Sequence, residues 1–96
     1  MPEKIVVMST VHLLVEGKVQ GVFYRASAKE MADDLGLSGW VKNREDGNVE
    51  MIVSGEESKI NEFIKWCHKG PRRAVVTNVS VMPQEDISFE KFEVIR

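Results

Sequence analysis

Nine consecutive residues, Gly17-Lys18-Val19-Gln20-Gly21-Val22-Phe23-Tyr24-Arg25, offer the clearest chemistry in this chain. Glycine lacks a Cβ, so Gly17 and Gly21 can take positive φ and let successive backbone N–H groups converge on one concavity suited to an anion. A helix beginning after Gly21 would add its own free N–H groups and the positive end of its dipole. Arg25 falls where that helix should start, and a planar guanidinium can hold two phosphate oxygens at once. Taken alone, two glycines and one arginine favour a plain strand-to-helix turn carrying a solvated side chain. A Walker loop is ruled out, because Val22 and Phe23 stand where its Lys and Ser/Thr belong. The G-x-G-x-x-G dinucleotide fingerprint is absent as well.

The elements that must carry this loop follow from apolar periodicity. From Val11 to Glu16 the side chains alternate, with Val11, Leu13 and Val15 on one face and His12, Leu14 and Glu16 on the other, predicting a first strand. The apolar run Ile5-Val6-Val7-Met8 before it either extends the strand or forms a loosely attached arm over residues 1–10. Ala28, Met31, Ala32 and Leu35 recur at helical spacing and Gly36 follows as a C-terminal stop. Gly39–Asn43 and Asn48–Val53 predict two strands joined through Arg44-Glu45-Asp46-Gly47, a hairpin signal. Ser54 and Glu57 have the form of a capping box for a second helix bearing Ile60, Phe63, Ile64 and Cys67 up to Gly70-Pro71. A strand from Ala74 to Met82 and a short one marked by Phe92 and Val94 complete the chain.

The order β-α-β-β-α-β with an additional short C-terminal strand predicts an α+β fold, the ferredoxin-like sandwich with two helices on one face of an antiparallel sheet. In that topology the first two strands run the same way with the third between them. The loop after the first strand and Asn43 at the end of the second therefore share one rim, roughly 10 Å apart. Asn43 becomes a partner of the cradle. An amide is no general base near neutral pH, but its C=O and NH₂ can orient a water. A phosphate grip plus an amide suits phosphoryl transfer with a good leaving group, such as the carboxylate of an acyl phosphate.

Composition excludes other classes. With 96 residues, 43% hydrophobic and 29% charged, the chain predicts one globular domain over 1–96. No apolar run approaches the roughly 20 residues a membrane helix needs, and the N-terminus has no signal-peptide pattern, so a cytoplasmic protein is expected. A net charge of -2 argues against a general nucleic-acid binder. One cysteine, Cys67, and two histidines provide neither a disulfide framework nor a metal cluster. The pair Asp33-Asp34 diverges on its helix and reads as solvated charge, Trp40 as a packed strand residue, and Lys65, His68, Lys69, Arg72 and Arg73 as helix-end electrostatics.

Two motifs then resemble the signatures of the acylphosphatase family. Gly17, Val19, Gln20, Gly21, Val22, Tyr24 and Arg25 match the first, Gly-x-Val-Gln-Gly-Val-x-aromatic-Arg. Gly39, Trp40, Val41, Asn43, Gly47, Val49 and Gly55 match the second. The resemblance implies hydrolysis of the carboxyl-phosphate bond without metal or cofactor. It implies that Arg25 and the loop Gly17, Val19, Gln20, Gly21, Val22, Phe23 and Tyr24, through backbone amides from Val19 onward, hold the phosphate. Asn43 would place the attacking water, whose proton the substrate takes up. It further implies a monomer acting on a small acyl phosphate, with phosphate or sulfate as product-like ligand and neither nucleic-acid nor membrane partner. Tyr24 departs from the family's usual phenylalanine and adds a hydroxyl. The alternatives are a non-catalytic anion-binding module, like the domain that precedes larger carbamoyl-transfer maturation factors, and an RNA-binding module of the same topology. Against the latter, the third strand carries Val49, Met51 and Val53 rather than stacking aromatics.

Overall fold

Residues 5–96 are described by the computed structural model, in the order β1 (Met8–Lys18), α1 (Tyr24–Asp34), β2 (Ser38–Asn43), β3 (Val49–Glu56), α2 (Glu57–Lys69), β4 (Val75–Pro83) and β5 (Phe92–Ile95). The five strands form one sheet ordered β4-β1-β3-β2-β5. The β3 strand lies antiparallel between β1 and β2, which consequently run the same way, as the ferredoxin-like order requires. The additional strand β5 lies on the outside of β2 and parallel to it, Gly39 pairing with Phe92 and Lys42 with Ile95.

Alternation along the strands produces the two faces. Leu13 and Val15 of β1, Val41 of β2, and Val49, Met51 and Val53 of β3 are fully buried beneath the helices. Ala28 and Ala32 present the narrow face of α1, while Ile60, Phe63 and Cys67 cover the sheet from α2. Trp66 links the aromatic layer, with ring centroids 5.3 Å from Tyr24 and 5.9 Å from Phe63. Burial pushes the Cys67 thiol up to about 12, consistent with a packing role. The α1 helix stops at Leu35 because Gly36, at φ 71°, lets its N–H and that of Leu37 turn back onto the Asp33 and Ala32 carbonyls, a Schellman arrangement.

Three features depart from the local signals. The first strand is longer than its alternation, beginning at Met8 and absorbing residues 8–10 of the expected arm. Ile5, Val6 and Val7 are exposed, although the Val7 carbonyl accepts the Glu57 N–H; residues 1–4 lie outside the described residues. Ser54 caps no helix. It sits inside β3, 6% exposed, with its hydroxyl 2.6 Å from that of Thr10, and the helix starts only at Glu57. Pairing with both β1 and β2 carries β3 through to Glu56, so two ladders of backbone bonds outweigh one capping signature. Gly17, expected to help shape the loop, is instead a β1 residue at a bulge against β4. A Cβ there would stand 2.1 Å from the Val75 carbonyl oxygen, so close backbone approach demands glycine.

The helix-free face carries a charge cluster centred on Glu50. Nε2 of His12 meets its carboxylate at 2.8 Å, and Lys42 and Arg44 lie 3.7 and 3.6 Å away. The His12 hydrogen bond, more than the neighbouring charges, holds the Glu50 pKa below its ordinary 4.5. A carboxylate with a lowered folded pKa stabilises the fold above its unfolded value, and that contribution disappears as pH falls through the folded value. Glu50→Gln should therefore be less stable than wild type near neutrality, with the gap closing as pH drops below 4.5, measured by urea unfolding across pH.

Candidate active site

At the carboxyl ends of β1 and β2 the chain builds a cavity of about 270 Å³ where the β1–α1 loop, the start of α1, the end of β2 and the end of β5 meet. The topology brings Arg25 and Asn43 together there, both on its lining. Gly39 and Val41 face the helices, so strand alternation sends Asn43 to that same side, toward the N-terminus of α1.

The loop is anchored from beneath and beside. Val19 and Val22 are 1% and 4% exposed and belong to the core. The Gln20 amide donates to two carbonyls of the β2–β3 connection, Arg44 at 2.7 Å and Asn48 at 2.9 Å, clipping the loop to the hairpin. That connection is itself braced by Asp46, which accepts the Asn48 N–H and the Arg44 guanidinium. Gly21 has φ 72° and Phe23 has φ 65°, the left-handed conformation, in which a non-glycine residue costs about 1 kcal/mol or more. The result is a run of free donors: among the described residues, the N–H groups from Gly21 to Ala26 have no backbone acceptor.

Arg25 breaks a local rule. It stands in the first turn of α1, which contains no acidic residue, where a cation is disfavoured by the helix dipole. Among the described residues it has no carboxylate partner. Its Nη1 donates instead to the Ile95 carbonyl at 3.1 Å, so β5 steadies the guanidinium while leaving most of its donors available. Opposite this positive field, Asn43 Oδ1 is buried and accepts no hydrogen bond, alone in that respect among the described side chains. An unmet buried acceptor of this kind typically costs about 1–3 kcal/mol.

Tyr24 closes the helix into the core. It is 1% exposed, its hydroxyl donates to the Cys67 carbonyl at 2.8 Å, and burial foremost raises its pKa. The added hydroxyl thus ties the start of α1 to α2. Tyr24→Phe should lower the unfolding free energy by about 1 kcal/mol in urea titration, because the Cys67 carbonyl loses a buried donor.

Of the loop residues singled out from sequence, Val19, Gly21, Phe23, Tyr24 and Arg25 line the cavity; Gln20 and Val22 position it, and Gly17 belongs to the sheet. Ala26, Val94 and Arg96 also line it and were missed. The apolar alternation of Phe92 and Val94 announces a strand, but no local signal tells that this strand docks beside β2. Among the described residues no group of three or more His, Cys, Asp or Glu side chains is placed to hold a metal ion.

Comparison with known proteins identifies the family. The family model described as Acylphosphatase matches residues 11–94. An acylphosphatase of Marinobacter nauticus is 55% identical over 69 residues, covering 72% of this chain and 75% of that protein. One from Methylococcus capsulatus is 44% identical over 90 residues, covering 93% and 98%. The solved structure of an acylphosphatase from Coxiella burnetii superimposes with a TM-score of 0.89 at 39% identity, over 92% of this chain and 93% of that one. With its sheet order and these relatives in agreement, the chain belongs to the acylphosphatase family.

Proposed function

We propose that this protein hydrolyses the carboxyl-phosphate bond of small acyl phosphates to a carboxylate and inorganic phosphate, with Arg25 and Asn43 as its catalytic residues. The observation that carries the reading is the meeting of unmatched donors and an amide on a single cavity: the Gly21–Ala26 N–H groups and Arg25 on one side, and on the other Asn43, whose Oδ1 has no partner among the described residues. The phosphoryl oxygens take the donors, and Arg25 adds a fixed charge whose attraction strengthens as negative charge develops in the transition state. The Asn43 amide hydrogen-bonds a water and holds its oxygen toward phosphorus, in line with the acyl oxygen. The water oxygen bonds to phosphorus, the acyl oxygen–phosphorus bond breaks, and the carboxylate departs needing no proton. The water's proton passes to a phosphoryl oxygen of the substrate, which suits a site whose amide cannot serve as base.

The remaining parts of this reading are a single catalytic domain, active as a monomer in the cytoplasm, needing neither metal nor cofactor, with phosphate or sulfate as product-like ligands. A cavity lined by residues between Val19 and Arg96 supports one catalytic domain, and the lone buried Cys67 suits a reducing compartment. Hydrolysis of acetyl phosphate and benzoyl phosphate by chelator-treated protein is the test. Turnover unaffected by chelator is expected; no turnover, or turnover only after metal is restored, would sink the reading.

A further inference from the structure

Building on the reading of this cavity as an acyl phosphate site, we propose that Phe23 selects the acyl group and favours aromatic over small aliphatic acyl phosphates. The phosphoryl end of the substrate carries the charge and must take the loop N–H groups and Arg25. The acyl group is then left to the rest of the lining, where Phe23, Ala26 and Val94 supply apolar surface.

Phe23 itself is unexplained by the fold. The residue is 76% exposed and takes no part in the core. Its backbone is left-handed, and it is alone among the described non-glycine residues in having positive φ. Glycine would orient the same N–H groups without strain, as Gly21 does two residues earlier. An aromatic ring therefore stands at a costly backbone position, at the edge of the cavity, with most of its surface uncovered by its own chain. A bound aromatic acyl group would cover it, through offset or edge-to-face packing that a methyl group cannot match.

The test uses two non-hydrolysable analogues in which carbon replaces the bridging oxygen, phenacylphosphonate and acetonylphosphonate, titrated calorimetrically against wild type, Phe23→Gly, Phe23→Ala and Phe23→Tyr. Wild type and Phe23→Tyr should prefer the phenyl analogue by about fivefold or more, and the Gly and Ala variants should bring that ratio to within about twofold of unity. Equal binding of the two analogues by wild type would overturn the proposal, as would a preference retained in Phe23→Gly and Phe23→Ala. A Phe23-dependent preference in a protein that hydrolyses neither benzoyl nor acetyl phosphate would defeat the hydrolytic reading while upholding Phe23 as selector. Turnover of both acyl phosphates without such a preference would do the reverse.

Discussion

Arg25→Ala should reduce kcat/KM for acetyl phosphate by at least about 10²- to 10³-fold, the usual cost of removing one preorganised charge-stabilising group. Both kcat and KM should suffer, since the guanidinium meets phosphoryl oxygens in the ground state and more strongly in the transition state. The same change should spare the fold. Arg25 contributes one exposed hydrogen bond, to the Ile95 carbonyl, and its charge opposes the dipole of the helix it begins. Inorganic phosphate provides a check independent of turnover. Saturating phosphate should raise the Tm of wild type by linkage, and Arg25→Ala should lose most of that shift while keeping its ligand-free Tm. Arg25→Lys should recover only part of the activity, because an ammonium keeps the charge and loses the two-pronged geometry. A near-normal kcat in Arg25→Ala would remove the guanidinium from the mechanism even with the fold intact.

Asn43→Ala should be the cleaner catalytic lesion, with kcat down by at least about 10²-fold and phosphate affinity close to wild type. An amide that orients water contributes to the attack rather than to holding the phosphoryl group, so the loss should concentrate in kcat. Stability should move the other way or not at all. The Asn43 Oδ1 is a buried acceptor with no partner among the described residues, and removing it relieves a desolvation penalty of about 1–3 kcal/mol against a small loss of packing. Urea unfolding of Asn43→Ala should give a midpoint at or above that of wild type. Lower stability together with lower activity would make Asn43 a structural residue and return the water-positioning role to another group.

Both lesions fall on residues whose chemistry was legible before their surroundings were. The alternation of Leu13 and Val15, the helical spacing of Ala28 and Ala32, and the hairpin glycine Gly47 are local patterns. They determined the element order, and topological rules then placed β3 between β1 and β2. That was sufficient to put Arg25 and Asn43 on one rim, because a split β-α-β unit leaves their strand ends no other edge. The two signature motifs carried the rest of the family resemblance.

What local patterns misjudged, tertiary pairing decided. Ser54 has the residues of a cap but lies in β3, because β1 and β2 flank that strand and extend its ladder to Glu56. Gly17 looked like loop machinery and is a bulge, required by a β4 carbonyl that only the folded sheet brings near. The position of β5 beside β2, which brings Val94 and Arg96 to the cavity and the Ile95 carbonyl to Arg25, depends on contacts between residues 53 to 70 apart in the chain. The sequence by itself determined which groups could grip a phosphate and place a water, since residue type and spacing are local properties. Only the tertiary structure decided that Asn43 Oδ1 stays unpartnered and that Phe23 stands uncovered at the cavity edge, because burial and exposure depend on everything packed around them.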